Sequence, residues 1–134
     1  MLIKGDAQLI REVLVDDCRI SLEEFVAVAR YHAKVRFSDA YCQRVRNSRR
    51  ILEERISDGV GIYGVNTGFG DNVRYRISEH DMVRLQENII RSHGCSVGRL
   101  LEEEEVRAML LLLITNIGKG YSATRFEIVE QARL

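Results

Sequence analysis

Three glycines within seven positions interrupt an otherwise helix-friendly chain, in the stretch Tyr63-Gly64-Val65-Asn66-Thr67-Gly68-Phe69-Gly70. A residue without a Cβ reaches backbone conformations that others avoid, so such a cluster dictates a tight, irregular path. The chain contains no proline, which suits helices on both sides of the break. An aromatic hydroxyl leads the loop. Projected into a cleft, Tyr63 has the chemistry of an acid or base; the plainer reading is a packed loop aromatic. Asn66 and Thr67 are expected to hydrogen-bond the loop to itself. Phe69 is expected to anchor the loop by packing, and Gly64, Gly68 and Gly70 to serve the backbone rather than the chemistry.

The 134 residues make one domain's worth of chain, with 46% hydrophobic and 30% charged residues. That is enough for a single core. Twenty basic residues offset twenty acidic ones, so no global field recruits nucleic acid or an anionic membrane. The longest apolar run, Ala108–Ile114, is far short of a membrane span. Met1–Asp6 shows no charged segment followed by an apolar stretch, so no secretory leader is expected. Cys18, Cys42 and Cys95 are odd in number and widely spaced. They are expected to be free thiols in a reducing cytoplasm, with no metal site.

Mainly helical elements are expected, with minor short strands near the N-terminus. Residues 1–20 mix Ile3, Leu9, Ile10, Val13, Leu14 and Val15 around Gly5-Asp6 and fit short strands or a turn of helix equally. Ser21-Leu22-Glu23-Glu24 is a capping box that starts a helix over 21–31. Lys34–Phe37 alternates and predicts a strand. Ser38 caps a helix to about Asp58, with Tyr41, Val45, Ser48, Leu52 and Ile56 along one face. Ser78 and Asp81 open a helix ending near His93, with Met82, Leu85, Ile89 and His93 on one side. Glu102–Glu105 opens another, apolar all round in its middle and therefore expected to be buried on all sides, stopping at Gly118-Lys119-Gly120. A final helix is expected from Thr124 to Leu134.

Other reactive residues read blandly. Cys95 has no base placed beside it by spacing, and Gly118-Lys119-Gly120 lacks the spacing of a phosphate-binding loop. Arg44, Arg46, Arg49, Arg50 and Arg55 form a basic stretch with Glu53 and Glu54 interleaved, as on a solvated helix face. His93, ending a helix on its apolar side, reads as half-buried.

Beyond Tyr63–Gly70, further blocks follow in order: Leu85-Gln86-Glu87-Asn88-Ile89-Ile90-Arg91-Ser92-His93, Val97-Gly98, Val106–Met109, Gly118–Ser122 and Arg125. Together with the tyrosine loop they resemble the aromatic amino acid ammonia-lyases, nearest the histidine ammonia-lyase type, from about Ile3 to Leu134. The resemblance implies the N-terminal domain (residues 1–134) of an all-helical fold whose central bundle and C-terminal parts lie outside this sequence. It implies an electrophile, a methylidene-imidazolone ring made from an Ala-Ser-Gly tripeptide; none occurs here. It gives Tyr63 a catalytic part in proton removal and His93 a contact with the substrate side chain. The Ser92-His93 pair is similar to the histidine-specific type, whereas tyrosine and phenylalanine enzymes carry other pairs. Implied partners are a small amino acid and other copies of the same chain, because family sites combine residues of several subunits. Neither nucleic acid nor membrane is expected. An aminomutase shares these motifs. A chain without the electrophile is expected to be inactive, and a rival reading is a non-enzymatic helical remnant that self-associates. Residues 60–77, a lid-like segment in the family, are expected to lack a settled path in isolation.

Overall fold

Ser21 starts the first helix as its sequence promises. Its hydroxyl accepts the Glu24 amide at 3.1 Å, while the Glu24 carboxylate accepts the Ser21 amide at 2.8 Å. In the computed structural model, which describes residues 7–17 and 19–133, this box opens α1 (Leu22–Tyr31). Ile3 and Cys18 lie outside the described residues. His32 closes α1 in the left-handed region at φ 57° and turns the chain into β2 (Lys34–Phe37), which pairs in parallel with β1 (Glu12–Val15). Alternation along both strands buries Val13, Val15 and Val35 and leaves Glu12, Leu14, Lys34 and Arg36 outside. Of the two options open for the first twenty residues, the strand holds 12–15, preceded by one 3-10 turn at Ala7–Leu9.

The next helix, α2 (Asp39–Ser57), is capped where expected: the Ser38 hydroxyl accepts the Tyr41 amide at 3.0 Å. Gly59, at φ 73°, stops the chain from continuing as helix. The Tyr41 ring is fully buried, stacks on Phe37 at 4.6 Å and donates its hydroxyl to the Ile114 carbonyl at 2.7 Å. Its polar end is therefore satisfied inside the core.

Ile114 belongs to α4 (Glu103–Ile117), which packs against α1. Arg107 donates to the Val28 carbonyl at 2.9 Å, and Arg30 meets Glu104 at 2.7 Å. Leu111, Ile114 and Ile117 are buried. The expected burial on every side is not found, because Met109, Leu112 and Leu113 are exposed. Among the described residues the packing neighbours of α4 cover one stripe, and positions turned away from it meet no cover. Arg44 donates to the Gly118 carbonyl at 3.0 Å, satisfying an acceptor that the helix end leaves orphaned.

The last helix is shorter than expected: α5 spans Phe126–Gln131 rather than Thr124–Leu134. Ala123 sits at φ 50°, an irregular turn that no helix includes, so α5 starts only after Arg125. Phe126 lies edge-on to Phe37 at 6.2 Å and beneath the Arg46 guanidinium at 4.5 Å.

Among the described residues the chain is mainly α, with one two-stranded sheet near its N-terminus. It divides into two compact units: the parts up to Leu52 and from Leu101 onward, and Glu53–Leu100. The strands, α1, α4 and α5 belong to the first; the glycine loop and α3 (Glu79–His93) form the body of the second. Among the described residues no helix is long and apolar enough to cross a membrane.

Candidate functional site

Every glycine of the loop has a definite backbone task. Gly64 and Gly70 lie in the left-handed region at φ 73° and 55°. Gly68 does not, but a Cβ there would stand 2.5 Å from the Asn72 carbonyl oxygen, so only glycine fits. The chain folds back on itself: Gly68 donates to the Tyr75 carbonyl at 3.1 Å, and Ile77 donates to the Asn66 carbonyl at 3.0 Å. Between them Thr67 and Arg76 form an antiparallel bridge.

Asn66 is the keystone of this hairpin. Its side-chain oxygen accepts the Ile62 amide at 2.7 Å, and its amide group donates to the Val60 carbonyl at 2.9 Å. Both it and Thr67 are buried, so those bonds satisfy polar atoms that water does not reach. Thr67 donates its hydroxyl to the Gly68 carbonyl. The self-bonding expected of these two residues is therefore present. The ties that shape residues 60–77 close largely within the segment itself.

The Tyr63 side chain stands outward, 61% exposed. Its ring meets Phe69 edge-on at 5.8 Å, and its hydroxyl oxygen accepts the Gly70 amide at 3.3 Å. One backbone donor thus occupies the phenol oxygen, and the hydroxyl proton remains available to an outside acceptor. Phe69 is itself partly exposed, so the pair braces the loop rather than burying it.

Ser78 caps α3 by accepting the Asp81 amide at 3.2 Å, and its hydroxyl donates to the Asp81 carboxylate at 2.7 Å. That bond, with Arg84 at 3.2 Å assisting, holds the Asp81 carboxyl below the usual carboxylate range. At the other end, His93 is exposed rather than half-buried. Its Nδ1 lies 2.9 Å from the Ile89 carbonyl and 3.0 Å from the Ser92 hydroxyl oxygen. The Ser92 hydroxyl also reaches the Ile89 carbonyl at 3.0 Å. With Nδ1 committed to the helix end, Nε2 is the nitrogen left for another molecule.

Sequence reasoning singled out Tyr63 and His93 but gave no separate role to Gln86. Its side-chain amide donates to the Gly64 carbonyl at 3.0 Å, joining α3 to the residue that follows Tyr63. Gln86 and His93 are seven residues apart, two turns along one face of the helix; that spacing was the available signal. No hydrogen bond joins the Tyr63 hydroxyl to His93. Cys95 is a free, exposed thiol. Among the described residues no three His, Cys, Asp or Glu side chains gather as a metal site.

A glycine-shaped loop tied to a helix that ends in Ser-His is the candidate site of this chain, and comparison with known proteins gives its class. The aromatic amino acid lyase family matches residues 20–133. Histidine ammonia-lyase 2 of Fusobacterium nucleatum is 40% identical over 116 residues, covering 87% of this chain and 23% of that protein. The crystal structure of ergothionase from Treponema denticola superposes with a TM-score of 0.86 at 29% identity, covering 91% of this chain and 24% of the other. Tyrosine aminomutase from Streptomyces globisporus superposes with a TM-score of 0.83 at 33% identity, covering 90% and 23%. The chain belongs to the aromatic amino acid lyase family. It spans about a quarter of the length of these relatives.

Proposed function

We propose that this chain supplies the tyrosine-loop part of an ammonia-lyase site, and that the complete protein eliminates ammonia from L-histidine to give urocanate. The observation that carries the reading is the pairing, within one compact unit, of a braced loop presenting Tyr63 with a helix presenting His93. Tyr63 serves proton removal, its hydroxyl held at one lone pair by the Gly70 amide. His93 contacts the substrate's side chain through Nε2, while Gly64, Asn66, Gly68 and Gly70 set the loop's shape. The likeness to a histidine ammonia-lyase at 40% identity supports histidine as substrate.

The family's electrophile, the methylidene-imidazolone ring, is built from an Ala-Ser-Gly tripeptide, and this chain holds none. Its residues therefore fit the tasks of binding and proton handling, and the chain alone is inactive. The complete protein acts in the cytoplasm as a homo-oligomer on a small amino acid, with neither nucleic acid nor membrane as partner.

The likeness to a tyrosine aminomutase favours a second reading, in which ammonia is returned to a neighbouring carbon. Incubating the complete protein with L-histidine, L-tyrosine and L-phenylalanine separates the two. Urocanate as the main product is the expected outcome; a β-amino acid, or an unsaturated acid from tyrosine or phenylalanine alone, would replace the reading.

A further inference from the structure

Tyr63 needs more than its own loop to be useful, because a proton-handling group on a hairpin goes where the hairpin goes. Asn66, the Gly68–Tyr75 and Ile77–Asn66 bonds, and the Phe69 contact are all internal to residues 60–77. They fix the hairpin's shape and leave its placement to something else. Gln86 is a side chain of α3 that reaches into it.

The acceptor is well chosen. Gly64 is the residue directly after Tyr63, and its left-handed φ of 73° sets the direction of its carbonyl. The ring of Phe69 lies 3.1 Å from where a Gly64 Cβ would stand, so the peptide is closed in on that side. A donor at Gln86 thus holds the peptide on which the Tyr63 side chain turns. The same face of α3 carries His93 two turns on, about 10 Å along the helix.

We propose that Gln86 is the positioning residue of this site, setting the Tyr63 loop in register with His93 through the Gly64 carbonyl. The inference rests on the lyase reading above and adds a residue to it. Gln86 touches neither substrate nor reacting atoms; it acts through Gly64.

Two variants test it. Gln86→Leu keeps the bulk and removes the donor, and Gln86→Lys restores a donor. In the 134-residue chain, amide hydrogen exchange at Val65 and Asn66, both of which donate to the Ile62 carbonyl, is expected to quicken about tenfold in Gln86→Leu. Exchange within α3 stays unchanged, and Gln86→Lys returns toward wild type. Unchanged exchange in Gln86→Leu overturns the proposal. So does a loss of α3 protection that Gln86→Lys fails to restore. In the complete enzyme, kcat for histidine falls about tenfold in Gln86→Leu while KM stays within about twofold. A loosened loop with undiminished kcat reduces Gln86 to a structural tie and also overturns the proposal. Because hydrogen exchange requires no turnover, a protein with the latch but no urocanate refutes the lyase reading and leaves the latch itself measured.

Discussion

At the scale of single residues, the loop separates two reasons for glycine that a sequence shows alike. Gly68 is a matter of space, since the Asn72 carbonyl occupies the place of a Cβ. Gly70 is a matter of backbone angle, with φ 55° and open space around it. Gly68→Ala is expected to cost about 2 kcal/mol or more, because backbone has to move. Gly70→Ala is expected to cost about 1 kcal/mol, the strain of a left-handed alanine. Denaturant titration with hydrogen exchange at Ile77, whose amide closes the hairpin, measures both; equal costs would show that space is not the constraint at Gly68. The need for glycine was legible in the sequence, but which glycine answered to sterics was not, because Asn72 is brought over Gly68 only by the turn that follows. Gln86 was illegible as a partner for the same reason. Its distance from Gly64 in the chain carries no trace of the contact until α3 lies alongside the loop.

At the scale of elements, the helix starts were the most readable parts. The Ser21 box, the Ser38 cap and the Ser78 cap all satisfy amides within three residues, so the information is local. The Ser78–Asp81 pair adds a pH dependence. The Asp81 carboxyl is held low, first by the Ser78 hydroxyl and then by Arg84. A folded-state value below the unfolded one contributes stability that is present above the ordinary carboxylate value near 4 and lost as pH falls through the folded value. Protection against hydrogen exchange in the first turn of α3, taken relative to the intrinsic rate at each pH, is therefore expected to fall on acidification below that value. Asp81→Asn is expected to show little of that dependence; an equal acid response in the variant would exclude Asp81 as its source. Elsewhere the sequence misled. The extent of α5 is set by the turn at Ala123, and the apolar run of α4 reads as wholly buried although only one stripe meets a partner.

At the scale of the whole molecule, that uncovered side of α4 has a consequence. Met109, Leu112 and Leu113 stand 59%, 58% and 46% exposed, an apolar surface of the kind that promotes association. Sedimentation of the chain is expected to depend on concentration, and Leu112→Glu with Leu113→Glu to shift it toward monomer. A wild type that stays monomeric at all concentrations would count against association through this face. The mainly helical class and the two strands were legible because capping and alternation are short-range signals. The glycine loop named the family by its own residues, and the parts proposed for Tyr63 and His93 came with that resemblance, whereas the Gln86 tie to Gly64 came from the folded unit. The central claim is that this chain is one part of a lyase site, carrying Tyr63 without the electrophile. Urocanate formation from L-histidine, followed by its ultraviolet absorbance near neutral pH, tests it most directly. The assay sets the complete protein and its Tyr63→Phe variant beside the 134-residue chain. The account predicts turnover by the complete protein, a loss of about a hundredfold or more in Tyr63→Phe, and none by the chain alone; turnover by the chain alone, or an undiminished Tyr63→Phe enzyme, would contradict it.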